Sequence, residues 1–242
     1  MIMSTKKKHI LIIGASSGIG MAIADLCSDL YNMSLTGRNT KSLHKYHETE
    51  NLQLDVLSND DIVALANDCN PIDGLVYCPG IAPVIPAHHV KEKSLNEVMR
   101  INFEAAALIT ASLLKAKKIN KGASLLYISS QAVRHPFFGS SAYSSSKAAL
   151  EAYAISLSKE LQNKKIRANC IAPAYVESQM LEDARKNLST EFVDNMKKMH
   201  PDAFSDADKI ASIAAFLLSD NASSINGQII EAGTFNINIP AL

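Results

Sequence analysis

Near its amino terminus the sequence reads His9-Ile10-Leu11-Ile12-Ile13-Gly14-Ala15-Ser16-Ser17-Gly18-Ile19-Gly20. The apolar run predicts a strand buried on both faces, and an apolar helix follows the last glycine. Three glycines at such a turn let the backbone bend tightly and approach a pyrophosphate, to which a helix amino terminus offers free N–H groups and a partial positive charge. A merely tight turn is the alternative, but the position directly after the first strand favours a dinucleotide.

Short apolar runs and helical segments alternate through the rest of the chain. Strands are predicted at His9–Ile13, Met33–Thr36, Asn51–Leu54, Gly74–Tyr77, Ser124–Ser129, Arg167–Ile171 and Gln228–Ile230. Helices are predicted near 18–30, 40–46, 59–68, 94–119, 141–162 and 206–218. This order predicts an α/β fold, a doubly wound seven-stranded parallel sheet with helices on both faces, in one domain over residues 1–242. Ligands of such sheets bind at the carboxyl ends of the strands, near the point where the strand order reverses.

Composition narrows the classes of function. The 242 residues carry 24 basic and 24 acidic side chains, so no net charge draws the protein onto nucleic acid or an anionic membrane. The four cysteines form no C-x-x-C pair, which indicates reduced thiols in a cytoplasmic protein. Neither a signal peptide nor a membrane span is expected. The histidines His88, His89, His135 and His200 lack a metal-binding spacing and are expected in solvated loops, so no metal is predicted.

The end of the second strand points to the cofactor. Gly37 and Arg38 stand where an NAD-binding unit would carry a ribose-binding acid, and a guanidinium there accommodates a 2′-phosphate. NADP(H) is therefore expected in preference to NAD(H), with a solvated loop arginine as the alternative. Asp55, which precedes Val56 after the third strand, is placed to accept a hydrogen bond from the adenine amino group or to cap a helix.

Candidate catalytic residues lie on the fifth strand and the helix after it. In Tyr143-Ser144-Ser145-Ser146-Lys147 the i, i+4 spacing brings a phenol and an ammonium to one helix face. A lysine and an oxidised nicotinamide together can lower a phenol pKa from about 10 towards neutrality, as proton exchange requires. Ser130 follows the fifth strand and can hold a carbonyl oxygen while the phenol protonates it.

These motifs resemble the short-chain dehydrogenase/reductase family, with its Rossmann-type fold, over essentially the whole chain. The fingerprint G-x-x-x-G-x-G falls on Gly14, Gly18 and Gly20, and Y-x-x-x-K on Tyr143 and Lys147. The resemblance implies a catalytic tetrad of Asn102, Ser130, Tyr143 and Lys147, in which Asn102 holds a water of the proton relay and Lys147 also binds the nicotinamide ribose. It implies a cofactor site that comprises Gly14, Ser16, Ser17, Gly18, Ile19, Gly20, Arg38, Asp55, Val56, Gly80, Tyr143, Lys147, Pro173, Val176 and Ser178.

Several segments depart from the family pattern. Tyr77-Cys78-Pro79-Gly80 replaces N-N-A-G and loses an amide that ties neighbouring strands. Pro173-Ala174 replaces Pro-Gly, which has a cost if that residue needs a positive φ. Ser178 stands for the carboxamide-binding threonine, and Glu231-Ala232-Gly233 for D-G-G. Activity is expected to persist, with an altered hold on the cofactor.

The family also guides the expectations for substrate and assembly. Residues 175–204 would form the substrate lid, whose Met180, Leu181, Met196 and Met199 line an apolar pocket or simply pack on the core. Phe137 and Phe138 are a substrate wall or ordinary core. The expected activity is reduction of a ketone, such as a 3-oxoacyl thioester, by a homotetramer or a dimer. The alternatives are a catalytically silent NADP-binding regulator or scaffold and a methyltransferase, and Arg38 argues against the latter.

Overall fold

The first strand distributes its side chains between two buried clusters, one on each face of the central sheet. In β1 (His9–Ile13), Leu11 and Ile13 belong to one cluster, whereas Ile10 and Ile12 belong to the other. Because helices cover both faces, every position inside the strand is apolar. This explains the unbroken apolar run in the sequence.

The computed structural model describes residues 7–46, 49–177, 181–182 and 190–235, without the side chains of 190–193 and 196. The strands after β1 are β2 (Asn32–Gly37), β3 (Glu50–Gln53), β4 (Ile72–Tyr77), β5 (Ile119–Ile128), β6 (Arg167–Pro173), β7 (Tyr175–Val176), β8 (Phe204–Ser205) and β9 (Ile229–Ala232). The helices are α1 (Gly18–Cys27), α2 (Asn59–Asp68), α3 (Glu92–Met99), α4 (Ala105–Lys115), α5 (Ser141–Glu160), α6 (Thr190–Met199) and α7 (Ala207–Leu218).

Seven strands form the central sheet in the order β3-β2-β1-β4-β5-β6-β9, and all neighbours are parallel. The order reverses between β1 and β4. Helices α2, α4 and α5 supply apolar side chains to the cluster on one face, and α1 and α7 supply those on the other. The predicted fold class, a single doubly wound α/β domain of the Rossmann type, is confirmed.

The predicted helix over 94–119 is wrong in its extent. A π turn at Arg100–Glu104 separates α3 from α4, and α4 ends at Lys115. Lys117 then takes a left-handed conformation (φ 57°), and the Lys118 N–H donates to the Leu113 carbonyl at 2.9 Å. Because a lysine occupies a position that usually holds glycine, the sequence does not mark this helix end. Strand β5 consequently begins at Ile119, five residues before the predicted start.

Two smaller predictions also need correction. The helix expected over 40–46 is a single 3-10 turn at Lys41–Leu43. Helix α1 ends at Cys27 rather than at residue 30, since the Cys27 carbonyl accepts from both Leu30 and Tyr31 N–H groups and closes a turn. In the part of the chain that the structure describes, no helix has the length and apolar character to cross a membrane.

Candidate active site

Strand register aligns the candidate residues at one edge of the sheet. Ile13 pairs with Tyr77, and Tyr77 pairs with Tyr127. The segments that follow β1, β4 and β5 therefore start side by side at the reversal of strand order, where open α/β sheets bind ligands.

The glycine-rich loop after β1 has the backbone that a pyrophosphate site requires. Gly14 and Gly18 have positive φ angles of 79° and 54°. A Cβ at Gly20 would lie 2.2 Å from the Gly14 carbonyl oxygen, so only glycine fits there. A Cβ added at Gly18 would meet no atom within 4 Å, so the space at the amino end of α1 is open.

The first turn of α1 favours an anion. Its N-cap residue, Ser17, makes no capping hydrogen bond through its side chain, and no acidic residue lies in the turn. The backbone N–H groups thus point to the open space beside Gly18, next to the half-buried Ser16 and Ile19. These residues fit the pyrophosphate of a dinucleotide.

Arg38 and Asp55 lie where the adenosine end of such a dinucleotide would extend. Arg38 follows β2 directly, is exposed, and has no carboxylate partner within the described part of the chain. One oxygen of Asp55 accepts from the Leu57 N–H at 3.0 Å. Ser58, not Asp55, caps α2 by accepting from the Asp61 N–H, so the helix-capping alternative for Asp55 is wrong. Val56 is half-buried against the core.

Ser130 and Tyr143 meet in a buried contact. Ser130 is extended, and its Oγ accepts from the Ala132 N–H at 3.1 Å at the start of a 3-10 turn. Tyr143 lies in the first turn of α5 and is likewise buried, with Ser130 near enough to affect the pKa of its hydroxyl. The Phe137 ring lies beside the phenol, with 6.4 Å between ring centroids. Phe138 is 68% exposed, so the interpretation that it belongs to the core is wrong.

Burial dominates the electrostatics of the phenol in the protein without a cofactor. Burial raises the pKa of Tyr143 above its ordinary value, and the hydrogen bond with Ser130 opposes this rise. The Lys147 Nζ lies 6.0 Å from the centroid of the phenol ring and donates to the Ile128 carbonyl at 2.8 Å. Burial lowers the pKa of Lys147 to about 8, so its charged form is itself disfavoured. In the protein alone, Ser130 rather than Lys147 favours the phenolate.

Asn102 lies within the π turn, fully buried, and its amide is committed to neighbouring groups. Its Nδ2 donates to the Ile81 carbonyl and to Ser146 Oγ, each at 2.9 Å, and its Oδ1 accepts from the Ile81 N–H at 2.8 Å. A Cβ at Gly80 would lie 3.2 Å from Lys147 Nζ and 3.4 Å from Asn102 Oδ1. Gly80 therefore permits the close approach of both side chains to the chain after β4.

The unusual residues before Gly80 have structural partners of their own. Tyr77 is fully buried, and its hydroxyl donates to the Ile101 carbonyl in the π turn at 2.5 Å. The Cys78 N–H donates to the Ile13 carbonyl at 3.1 Å, so a backbone bond joins these strand ends despite the lost amide. The Pro79 ring packs against the Gly14 backbone. A Cβ added at Gly14 would lie only 3.2 Å from the Pro79 Cδ.

The segment after β6 needs no glycine at position 174, where the family pattern has one. Pro173 is buried and pairs with Ala232, and the Ala174 N–H donates to the Ala232 carbonyl at 2.8 Å. Ala174 has no positive φ, so its replacement of glycine carries no conformational cost. Val176 lies in β7, half-buried.

Only part of the predicted lid falls within the described residues. Ser178 and Met180 lie outside the described residues, as does the side chain of Met196. Leu181 is buried, and Met199 is half-buried. The lid prediction therefore stays a prediction.

The histidines divide into two groups. His88, His89 and His135 are exposed, as expected for solvated loops. His200 is 5% exposed, and its ring lies 5.3 Å from that of Phe235, so its assignment to a solvated loop is wrong. Within the described ranges no three potential metal ligands cluster.

Sequence reasoning did not single out Glu151 and Arg134. The buried Glu151 carboxylate accepts from Ser129 Oγ at 2.8 Å and from two guanidinium nitrogens of Arg134 at 3.0 and 3.2 Å. Arg134 Nε also pairs with Glu231 at 2.9 Å. The signal in the sequence is the position of Glu151, four residues after Lys147 and eight after Tyr143 on the same helix face.

Comparison with known proteins agrees with this geometry. The family model described as short chain dehydrogenase matches residues 8–189. The chain belongs to the short-chain dehydrogenase/reductase family. It is accordingly an oxidoreductase of carbonyl or alcohol groups, from a family that uses a nicotinamide cofactor.

Individual relatives span nearly the whole chain. The chain is 31% identical over 241 residues to L-xylulose reductase of Caenorhabditis elegans, with 92% of this chain and 93% of the relative covered. It is 27% identical over 237 residues to 3-oxoacyl-[acyl-carrier-protein] reductase FabG of Chlamydia trachomatis, with 92% and 94% covered. The solved structure of a short chain dehydrogenase family protein from Francisella tularensis superimposes with a TM-score of 0.84 at 22% identity, with 93% of this chain and 96% of that one covered.

Tyr77→Phe should destabilise the protein by about 1–3 kcal/mol, because the Ile101 carbonyl would lose its partner in a buried position. Urea unfolding measures this change. Tyr31→Phe is the matched control, since Tyr31 is half-buried and its hydroxyl has no hydrogen-bond partner in the described ranges. Equal stability of the two variants would show that the bond to the π turn contributes nothing.

Proposed function

We propose that the protein is an NADP(H)-dependent oxidoreductase that interconverts a ketone and a secondary alcohol, with Tyr143 as proton donor and acceptor. The observation that carries the proposal is the placement of buried Ser130 and Tyr143 with Lys147 at the strand edge beside the glycine-rich loop, where Lys147 Nζ donates to the Ile128 carbonyl at 2.8 Å and lies 6.0 Å from the phenol ring centroid. Two hydroxyls in that arrangement can both contact one carbonyl oxygen.

Each residue of the site has a distinct part in the reaction. A bound nicotinamide supplies or accepts the hydride. Ser130 donates a hydrogen bond to the substrate oxygen, and Tyr143 transfers its proton to that oxygen during reduction. Lys147, fixed by the Ile128 carbonyl, holds the nicotinamide ribose and contributes positive charge near the phenol. Asn102 fixes the π turn and the chain after Gly80, next to the proposed proton relay.

The proposed cofactor site extends along the strand edge. Its residues would be Gly14, Ser16, Ser17, Gly18, Ile19, Gly20, Arg38, Asp55, Val56, Gly80, Tyr143, Lys147, Pro173, Val176 and Ser178. The preference for NADP(H) rests on Arg38, an exposed guanidinium after β2 that pairs with no carboxylate among the described residues.

An apolar ketone of the 3-oxoacyl thioester type is the proposed substrate. The half-buried Phe137 ring stands beside the phenol, and the half-buried segment 81–86 is mostly apolar. A Cβ at Gly139 would lie 2.8 Å from Val84, so this segment packs directly against the loop that carries Phe137. The 3-oxoacyl reductase relative supports this class, whereas the L-xylulose reductase relative makes a ketose the second candidate.

A catalytically silent regulator of the same fold is the competing proposal for this chain. It would bind NADPH tightly and turn over no ketone. The burial of Tyr143 and Lys147 next to Ser130 favours the enzyme, because a scaffold gains nothing from a lysine whose charge is disfavoured by burial.

We further propose a cytoplasmic homotetramer. Leu108 on α4 and Ile155 on α5 are 41% and 43% exposed, which suits helices that pack against a second copy. Sedimentation of the full chain distinguishes a tetramer from a dimer.

Tyr143→Phe should lower turnover with NADPH by about 100- to 10,000-fold, since the proton donor is removed while the ring remains. The assay follows NADPH oxidation with a panel of 3-oxoacyl thioesters, ketoses and diketones. Phe216→Leu, a change at a 47% exposed ring on α7, is the control and should keep wild-type turnover. Turnover by Tyr143→Phe at the wild-type rate on a responsive substrate would exclude the phenol as proton donor.

Arg38→Ala should weaken NADPH binding about tenfold to a hundredfold and leave NADH binding nearly unchanged, because only NADPH carries the 2′-phosphate. Quenching of protein fluorescence or calorimetric titration measures both constants. Lys45→Ala is the control, as that ammonium already pairs with Asp25 at 2.7 Å. Equal losses for the two cofactors would remove the assignment of the 2′-phosphate to Arg38.

A further inference from the structure

The segment that carries Ser130 is anchored on both sides of that residue by a single carboxylate. Ser129, immediately before Ser130, donates to Glu151 Oε1, and Arg134, four residues after it, contacts both oxygens of Glu151. The segment therefore cannot shift as a unit relative to α5 without breaking these charge-assisted bonds.

Glu151 belongs to the same helix as the phenol. Tyr143 and Lys147 precede it by two turns and one turn of α5. The carboxylate consequently connects the strand end that presents Ser130 to the helix that presents Tyr143. Gln131 completes the anchorage, because its Nε2 donates to the Ala232 and Gly233 carbonyls at 3.1 and 2.6 Å.

Side chains from three elements surround the Glu151 carboxylate. Ser129 faces it from the end of β5, Arg134 from the following loop and the buried Cys170 from β6. Glu231 pairs with Arg134 Nε on the outer side at 2.9 Å, so two carboxylates share this guanidinium. The buried Glu151 carboxylate uses both of its oxygens in this network, which favours one geometry.

We propose that Glu151 is a positioning residue that holds the segment carrying Ser130 against the helix that carries Tyr143. The inference rests on the proposed function of that pair, and it adds a residue that touches neither substrate nor cofactor. Its consequence is that the contact between the two hydroxyls depends on a charge one helical turn beyond Lys147.

The test compares Glu151→Gln with the wild-type protein in two measurements. In the first, ultraviolet absorbance follows ionisation of the phenol, with the matching Tyr143→Phe protein subtracted so that only Tyr143 contributes. The hydrogen bond from Ser130 lowers the pKa of Tyr143, so loss of alignment should move this titration to higher pH. In the second, kcat for NADPH oxidation should fall at least tenfold, with the KM for NADPH within about twofold of wild type.

A double-mutant comparison separates positioning from general damage. Ser130→Ala alone should produce the same shift, and Glu151→Gln added to Ser130→Ala should shift the titration no further. Ser158→Ala is the control, as this buried hydroxyl on α5 donates only to Ile155 in its own helix and should leave the titration in place. If Glu151→Gln fails to fold, Arg134→Gln is the substitute. It removes the ion pair with Glu151 at a side chain that is 36% exposed, and it should shift the Tyr143 titration in the same direction.

An unshifted Tyr143 titration in a folded Glu151→Gln or Arg134→Gln protein would overturn the inference. It would also be overturned if Glu151→Gln shifted the titration equally in the wild-type and Ser130→Ala proteins. Retained turnover in Tyr143→Phe is a different result that contradicts the proposed function itself. The titration needs no substrate, so the two failures are distinguishable.

Discussion

The alignment of β1, β4 and β5 at their carboxyl ends is the constraint on which the site depends. Ile13 pairs with Tyr77, and Tyr77 pairs with Tyr127, in parallel register. The loops that follow β1, β4 and β5 therefore begin at the same edge of the sheet. Neighbouring strands lie about 4.8 Å apart, so backbone and side chains from these loops must share one small volume. The strand register therefore brings together the glycine-rich loop, Gly80 and Ser130.

Within that volume, bonds to backbone groups hold Lys147 and Asn102 in place. Lys147 is fixed by the Ile128 carbonyl, and Asn102 by both backbone groups of Ile81. Tyr77 satisfies the Ile101 carbonyl in the π turn beside Asn102. A buried lysine with a pKa of about 8 is costly in free energy, and it is retained next to the only phenol that contacts Ser130 within the described ranges. This arrangement is typical of a site selected for chemistry rather than for stability.

The sequence predicted those features that follow from local patterns. The unbroken apolar run of β1 predicted that the strand is buried on both faces. The spacing of Tyr143 and Lys147 predicted that they share one helix face. The end of α4 was missed because Lys117 adopts the left-handed conformation without a glycine to mark it. The π turn was missed because its stabilising partner, Tyr77, lies 24 residues before Ile101.

Electrostatics were the least predictable part of the site. The prediction that Lys147 and an oxidised nicotinamide together lower the pKa of the phenol stays a prediction; in the protein alone, burial raises that pKa and Ser130 opposes the rise. The Glu151 network likewise joins α5 to Ser129 and Arg134, 22 and 17 residues earlier in the chain, and to Glu231 through Arg134, and helix spacing places Glu151 on a face without revealing these partners. Both depend on tertiary packing, on which periodicity gives no information.

The most direct test of a reaction centred on two hydroxyls is a crystal structure of the protein with NADP⁺ and a bound secondary alcohol. The alcohol oxygen should lie within hydrogen-bond distance of both Ser130 Oγ and the Tyr143 phenol oxygen, with its carbon facing the nicotinamide ring. An alcohol oxygen bound by other residues, with the two hydroxyls bonded only to each other, would contradict it.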